Sequence, residues 1–384
     1  DPDTPLVYLI AGESSGDNLG AGLIDDIRAL NPDARFAGIG GPAMQAKGLN
    51  SLFPMSDLSV MGVAEIIPRL GLLLRRIRQT ASHVREIHPD VVVTIDSPDF
   101  SFRVARRIKG QGIALVHYVA PTVWAWRPKR AAKIARLYDH LLTLFPFEPP
   151  YFEREGLAST FVGHPVVHGK IGGGDGGKFR ALHTIGTDAP VLCMLPGSRR
   201  SEISRLLPVF REALDRLRRQ IPVLHCVLPT VPHMERDVRH MLEGINDITI
   251  VVDPEQKADA FAASNAALAA SGTVALELAM AGVPGVIGYR MNAATAVLAR
   301  RLIRIPYVSL VNILCDKEVM PERLQERCTP DELYTELLPL LSGDKRRELQ
   351  LQAFRQVREL LTPPSHAHTA AHQVLHAIRE RPKV

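Results

Sequence analysis

The sequence predicts an α/β protein built from two Rossmann-like domains, and three observations carry that reading. Its 384 residues exceed what one hydrophobic core usually supports, so two cores are expected. Short runs rich in Val and Ile alternate with longer charged segments of helical period, which is the rhythm of βαβ units. That rhythm breaks at a glycine cluster, Gly172, Gly173, Gly174, Gly176 and Gly177, and then resumes.

In chain order, the first series places strands at Leu6–Ala11, Arg35–Ile39, Val91–Ile95, Ile113–Val119 and Leu141–Phe145. The second places them at Val191–Leu195, Val223–Leu228, Ile248–Val252, Ala266–Ala270 and Val286–Tyr289. The expected division is a first domain over 1–168, a linker over 169–190, and a second domain over 191–362. A final helix is expected within 363–384, set off by Pro363-Pro364. The linker is inferred from its glycines, which lose too much conformational entropy to sit inside a helix or strand.

Apolar residues make up 46% and charged residues 23%, proportions of a globular chain. No uninterrupted apolar stretch reaches the roughly 18 residues of a membrane span, since Ala266–Tyr289 is broken by Glu277, Gly282, Pro284 and Gly285. The net charge of +5 suits anionic partners such as nucleotides or acidic lipids, and without clustering it points to no nucleic acid. Four cysteines without CxxC spacing fit a reducing cytoplasm. The absence of HExxH and CxxC patterns leads to an expectation of no metal and no cofactor.

Candidate site residues cluster where strands are expected to end, the edge at which open α/β sheets bind ligands. After the first strand comes Gly12-Glu13-Ser14-Ser15-Gly16-Asp17, whose carboxylates Glu13 and Asp17 favour sugar hydroxyls over phosphate. Its plainer reading is a strand-to-helix turn capped by Ser15 or Asp17. Asp96 closes the strand Val91–Ile95; a partly desolvated carboxylate there either takes a proton from an attacking hydroxyl or binds sugar. In the second half, Ser198 and Arg199 follow a buried strand, and a guanidinium there matches a diphosphate leaving group. Ser271-Gly272-Thr273 opens a helix whose backbone N–H groups would face phosphate, and Glu277, one turn further, is placed to accept both ribose hydroxyls. Trp124 and Trp126 share one side of an extended segment and either close a core or wall an acceptor pocket. His164 is read as structural or nucleotide-contacting.

Val60–Arg78 is apolar and basic together, with Val63, Ile67, Leu70, Leu72 and Leu74 beside Arg69, Arg75 and Arg76. As a helix it carries more apolar face than one core contact requires, so either an anionic membrane surface or a subunit or domain interface covers the surplus.

Together with Val162-Gly163-His164-Pro165, Leu195-Pro196-Gly197-Ser198-Arg199 and Tyr307-Val308-Ser309-Leu310-Val311-Asn312, these motifs resemble the lipid-A-disaccharide synthase family in order and spacing over nearly the whole chain. Small departures are Ser14-Ser15 in place of a Glu-Ala-Ser order, and Val311 where a proline is common. The resemblance implies a GT-B architecture, two Rossmann-like domains facing a central cleft. It implies metal-independent, inverting transfer from UDP-2,3-diacylglucosamine to lipid X (2,3-diacylglucosamine 1-phosphate), giving a β-1,6-linked disaccharide and UDP. Asp96 would then be the base for the acceptor's 6-hydroxyl, and Asn312 would join the donor site. Also implied are peripheral attachment to the cytoplasmic face of the inner membrane and a C-terminal segment that packs back on the first domain or swaps within a homodimer. The rival readings are a UDP-sugar 2-epimerase, a glycosyltransferase acting on a polyprenyl-linked precursor, and a nucleotide-sugar sensor. An epimerase needs no apolar surface, and a sensor would tolerate loss of Asp96.

Overall fold

The computed structural model describes residues 4–58, 63–123, 129–292 and 305–380. The chain forms two compact units, one of Asp1–Pro165 with Leu361–Val384 and one of Val166–Leu360.

The first unit holds a six-stranded parallel sheet of β1 (Leu6–Ala11), β2 (Arg35–Ile39), β3 (Val91–Ile95), β4 (Ala114–Tyr118), β5 (His140–Thr143) and β6 (Ala158–Phe161). Its order is β2-β1-β3-β4-β5-β6. Strands β1, β3 and β4 are buried on both faces, which is why they read as unbroken apolar runs. One face packs against α1 (Ser14–Leu30), and the other carries α3 (Val63–Ile87), α4 (Pro98–Ile108) and α5 (Lys129–Ala135). A short α2 (Pro42–Ala46) lies beside α1.

The second unit repeats the plan with β7 (Val191–Leu195), β8 (His225–Pro229), β9 (Ile248–Val251), β10 (Ala266–Ala269), β11 (Gly285–Tyr289) and β12 (Glu322–Leu324), ordered β12-β11-β10-β7-β8-β9. Of its helices, α6 (Gly176–Leu182) and α8 (Gln256–Ala263) cover one face, and α7 (Arg200–Gln220) and α11 (Pro330–Leu341) the other. Helices α9 (Val274–Ala281), α10 (Leu310–Cys315) and α12 (Lys345–Leu360) complete the elements used below.

Topology fixes where ligands go. In the first sheet the chain leaves β1 for β2 on one side, while β3 lies on the other. In the second, β7 is flanked by β8 and β10 in the same way. A crevice opens at the carboxyl ends of each such pair, because the following connections run to opposite faces.

Residues 169–190, expected as a linker, are folded onto the second unit. Lys170–Gly173 makes a 3-10 turn; Asp175 caps α6 by accepting the Lys178 N–H at 2.9 Å and donates its own N–H to Asp259 at 2.7 Å. The glycines serve close approach rather than flexibility. A Cβ on Gly176 would stand 2.5 Å from the Ala262 carbonyl oxygen, and one on Gly174 would overlap that of Ala258.

Beyond Pro363-Pro364, α13 (Ala370–Glu380) returns to the first unit and buries Ala371, Val374 and Ile378 in the α1 face of its core. Two strands went unforeseen, β6 and β12, and both are edges. Ala-Ser-Thr-Phe is partly exposed and Glu-Arg-Leu buries two charged side chains, so neither shows the apolar run that marks a central strand.

Candidate active site

In the second unit, a cavity of about 690 Å³ opens at the carboxyl ends of β7 and β10, the crevice that the strand order provides. Ser198, Arg199, Ser271, Gly272, Thr273 and Glu277 all line it. Strand β7 ends in a turn where Gly197 takes φ +108°, a conformation that favours glycine, and a Cβ there would meet the Glu202 side chain. Glu202, in the first turn of α7, accepts the Ser198 and Arg199 N–H groups at 3.3 and 3.4 Å. That carboxylate holds the turn, leaving the Arg199 guanidinium exposed and without an ion pair among the described residues. Its neighbour Arg200 faces elsewhere and pairs with Asp237 at 2.7 Å.

Opposite, Gly272 adopts φ +146° between β10 and α9, so backbone N–H groups approach the cavity without a side chain in the way. The Ser271 hydroxyl donates to the Val308 carbonyl at 3.4 Å, so this residue offers the cavity its backbone. Glu277 stands one turn into α9 and is paired with Lys257 at 2.6 Å. Lys257 also lines the cavity and lies over the Phe261 ring, 5.5 Å from its centroid. Sequence reasoning missed Lys257; the available signal was a cation in the first turn of the helix that follows β9. Glu202 was missed too, three residues past Arg199.

Asn312 does not belong to this cavity. It is fully buried, its amide donates to the Met320 carbonyl and to Glu322, and its oxygen accepts the Val319 and Met320 N–H groups at 2.8 and 2.9 Å. With those bonds made, no capacity remains for a nucleotide. Glu322 also accepts the Val308 and Ser309 N–H groups, and burial raises its carboxyl above the usual range, against the pull of those donors.

In the first unit, the crevice lies between β1 and β3. Gly12 follows β1, and a Cβ on it would collide with Ser97 after β3, so only glycine lets the two turns pass. Asp96 and Ser97 are both left-handed, at φ +52° and +45°, a strained pair of the kind that clusters at functional sites. The Asp96 N–H is fixed to the Tyr118 carbonyl at 2.9 Å, and its own carbonyl accepts from the Ser101 hydroxyl at 3.0 Å. Burial raises the Asp96 carboxyl above its ordinary range, opposed by the Ser97 N–H. A carboxylate raised in this way is a better proton acceptor. Below it, Thr94 bridges His117 (2.7 Å) and Tyr138 (2.9 Å) in a buried network, where burial brings His117 down to about 3, neutral at physiological pH.

Glu13 and Ser15 are exposed at the start of α1, on the same turn as Gly12. Asp17 is not available to a ligand. It is 3% exposed, and its carboxylate accepts the N–H groups of Gly41, Ala43 and Met44 at 2.8 to 3.0 Å, capping α2. His164 is half-buried against Phe145, burial lowers its ring to about 4, and its backbone N–H donates to the Leu361 carbonyl at 2.9 Å. Trp124 and Trp126 lie outside the described residues.

Helix α3 runs unbroken through Pro68, although the side chains of Val63, Ile67 and Arg69 lie outside the described residues. Leu70 is 43% exposed, whereas Leu72 and Leu74 are half-buried. Arg75 faces solvent, but Arg76 is held by Asp57 at 2.6 Å and stacks over Phe53. No helix of the described residues is long and apolar enough to cross a membrane.

Comparison with known proteins gives one family. A model described as lipid-A-disaccharide synthetase matches residues 7–376. The lipid-A-disaccharide synthase of Rhodospirillum centenum is 51% identical, over 98% of this chain and 95% of that protein. Among solved structures, a putative UDP-N-acetylglucosamine 2-epimerase from Listeria monocytogenes superposes with a TM-score of 0.65 at 15% identity, covering 98% of this chain and 96% of that one. The glycotransferase of kitacinnamycin superposes at 0.63 and 16% identity, covering 99% of each chain. At such identities these two structures speak for the shared two-Rossmann-domain fold and not for an activity.

Proposed function

Because the chain belongs to the lipid-A-disaccharide synthase family, and is thereby a glycosyltransferase of lipid A biosynthesis, we propose that it joins UDP-2,3-diacylglucosamine to lipid X. The observation that carries the donor half is the convergence of Arg199, the Gly272–Thr273 backbone and Glu277 on one cavity at the β7/β10 crevice. In this reading Glu277 accepts the ribose hydroxyls. Arg199 and the start of α9 meet the diphosphate.

The reaction is an inverting displacement. The acceptor's 6-hydroxyl oxygen bonds to the donor's anomeric carbon from the face opposite the diphosphate. The bond from that carbon to the diphosphate oxygen breaks, and UDP departs with the electron pair. The hydroxyl proton passes to Asp96, whose raised carboxyl suits it to the task. Arg199 neutralises charge that grows on the leaving diphosphate, so its contribution is larger in the transition state than in the ground state. Glu13 and Ser15, exposed beside the β1/β3 crevice, are assigned to acceptor hydroxyls. We place the enzyme peripherally on the cytoplasmic face of the inner membrane, with exposed Leu70 and Arg75 of α3 turned to an anionic surface.

The test is UDP release from UDP-2,3-diacylglucosamine in detergent micelles, with and without lipid X. Release is expected only with the acceptor present, and it should collapse in both Asp96→Ala and Arg199→Ala. Release that ignores lipid X, or epimerisation of UDP-N-acetylglucosamine without any acceptor, would remove this reading.

A further inference from the structure

We propose that a basic hollow between α4 and α5, in the first unit, binds the phosphate of the phosphorylated, acylated sugar acceptor; this rests on the acceptor reading given above. The hollow measures about 520 Å³ and is lined by Arg103, Arg106, Arg107, Arg130 and Lys133, with Leu74 of α3 in its wall. Arg103, Arg106 and Arg107 stand at i, i+3 and i+4 on α4, and Arg130 and Lys133 at i and i+3 on α5, so two cationic faces meet across it.

Little within the described residues balances that charge. Asp99 is the carboxylate in the lining, and its side chain is 91% exposed and reaches Arg130 only at 3.8 Å. Arg107 turns back to the Arg103 carbonyl, while Arg103, Arg106 and Lys133 make no ion pair among the described residues. Like charges held close weaken a fold unless an anion comes between them. A phosphate monoester fits: it is dianionic at neutral pH, and its oxygens match guanidinium forks.

Place argues for the acceptor as the source of that phosphate. The hollow starts at Pro98 and Asp99, directly after Asp96 and Ser97, which puts it beside the carboxyl end of β3 where Asp96 lies. Leu74 lies one helical turn from exposed Leu70, which gives acyl chains an apolar edge to follow. Phe102 anchors the floor, packing edge-on against His117 and Tyr138 at 5.2 and 5.8 Å.

The experiment compares two acceptors, 2,3-diacylglucosamine 1-phosphate and the same lipid with a free 1-hydroxyl, using the full chain and its Arg106→Gln/Lys133→Gln variant. Circular dichroism checks that the variant is folded. The unaltered enzyme should prefer the phosphorylated acceptor. In the variant, KM for that acceptor should rise about tenfold or more, as loss of charge-assisted hydrogen bonds implies, and the preference should collapse while donor KM stays put. Unchanged KM values would overturn the proposal. So would equal rises for both acceptors with weaker flotation on phosphatidylglycerol vesicles, which would assign the hollow to a bilayer headgroup. If the unaltered enzyme turned over neither acceptor, the acceptor reading itself would fall and take this proposal with it.

Discussion

Lys257 Nζ stands 2.6 Å from a carboxylate oxygen of Glu277, and both side chains border the cavity at the carboxyl end of β10. The two keep 33% and 31% of their side-chain surface exposed, so water screens the pair and its worth to folding is at most about 1 kcal/mol. Its use is orientation: the lysine fixes one carboxylate oxygen and brings a cation to the edge of the cavity. Glu277→Gln should therefore raise the donor KM about tenfold or more, the loss expected when a hydrogen bond to a charged group is removed. Lys257→Met should move donor KM in the same direction, and neither should shift acceptor KM. Steady-state kinetics with each substrate varied in turn, beside a thermal melt, checks all three statements.

Arg199 and Glu202 divide one task between charge and geometry. Arg199→Ala should lower kcat by about 10²- to 10³-fold, the range seen when a donor to a developing negative charge is lost. Glu202→Ala keeps the guanidinium but releases the Ser198 and Arg199 N–H groups that the carboxylate holds. Its defect should be smaller and should be largely spared in Glu202→Gln, whose carbonyl oxygen can take the place of the one carboxylate oxygen that accepts both N–H groups. Equal losses in Arg199→Ala and Glu202→Ala would show that the loop's shape, not the arginine's charge, limits turnover.

Asp96 should set the acidic limb of the rate profile. A base works deprotonated, so activity falls as pH drops through its pKa, and burial moves that limb above the ordinary carboxylate range. Asp96→Asn should remove about 10² to 10⁴ in kcat and flatten the limb. Stability carries the opposite sign. A carboxyl raised on folding contributes stability that is fully present below its unfolded pKa and is lost as pH rises through the folded one. At neutral pH the native carboxylate is thus a burden on the fold, and Asp96→Asn should melt higher than the unaltered protein, by a margin that shrinks towards acid pH. A lower melting temperature at neutral pH would contradict this.

The central strands were legible because burial on both faces leaves an uninterrupted apolar run, as in Val91–Ile95 and Val191–Leu195. The loops that follow them were legible because topology sends ligands to that edge, which is why the sequence alone picks out Arg199, Gly272 and Glu277, residues that line one cavity in the structure. What escaped the sequence is how polar groups are used once buried. Asn312 and Asp17 carry the residue types of a binding site, yet the oxygens of each are occupied by backbone N–H groups that come from 7 to 27 residues away. Nothing local distinguishes such a side chain from one that waits for a ligand. The glycine-rich segment failed for a related reason, since flexibility and close approach both select glycine, and only the neighbouring Ala258 and Ala262 carbonyls decide between them.

Asp17 gives the cleanest separation of fold from function, because its three accepted N–H groups belong to the turn before α2 and to its first residues. Asp17→Ala would leave those donors without a partner in a buried setting, at about 1 to 3 kcal/mol for such a group. Asp17→Asn keeps one acceptor oxygen but turns an amide towards other donors, so it should rescue little. Both variants should unfold at lower denaturant concentration than the unaltered chain, with unchanged m-value. Once folded, each should show ordinary KM values for donor and acceptor, because the carboxylate touches neither. A rise in acceptor KM without loss of stability would return Asp17 to the acceptor site, and would mean that the α2 cap opens when substrate binds.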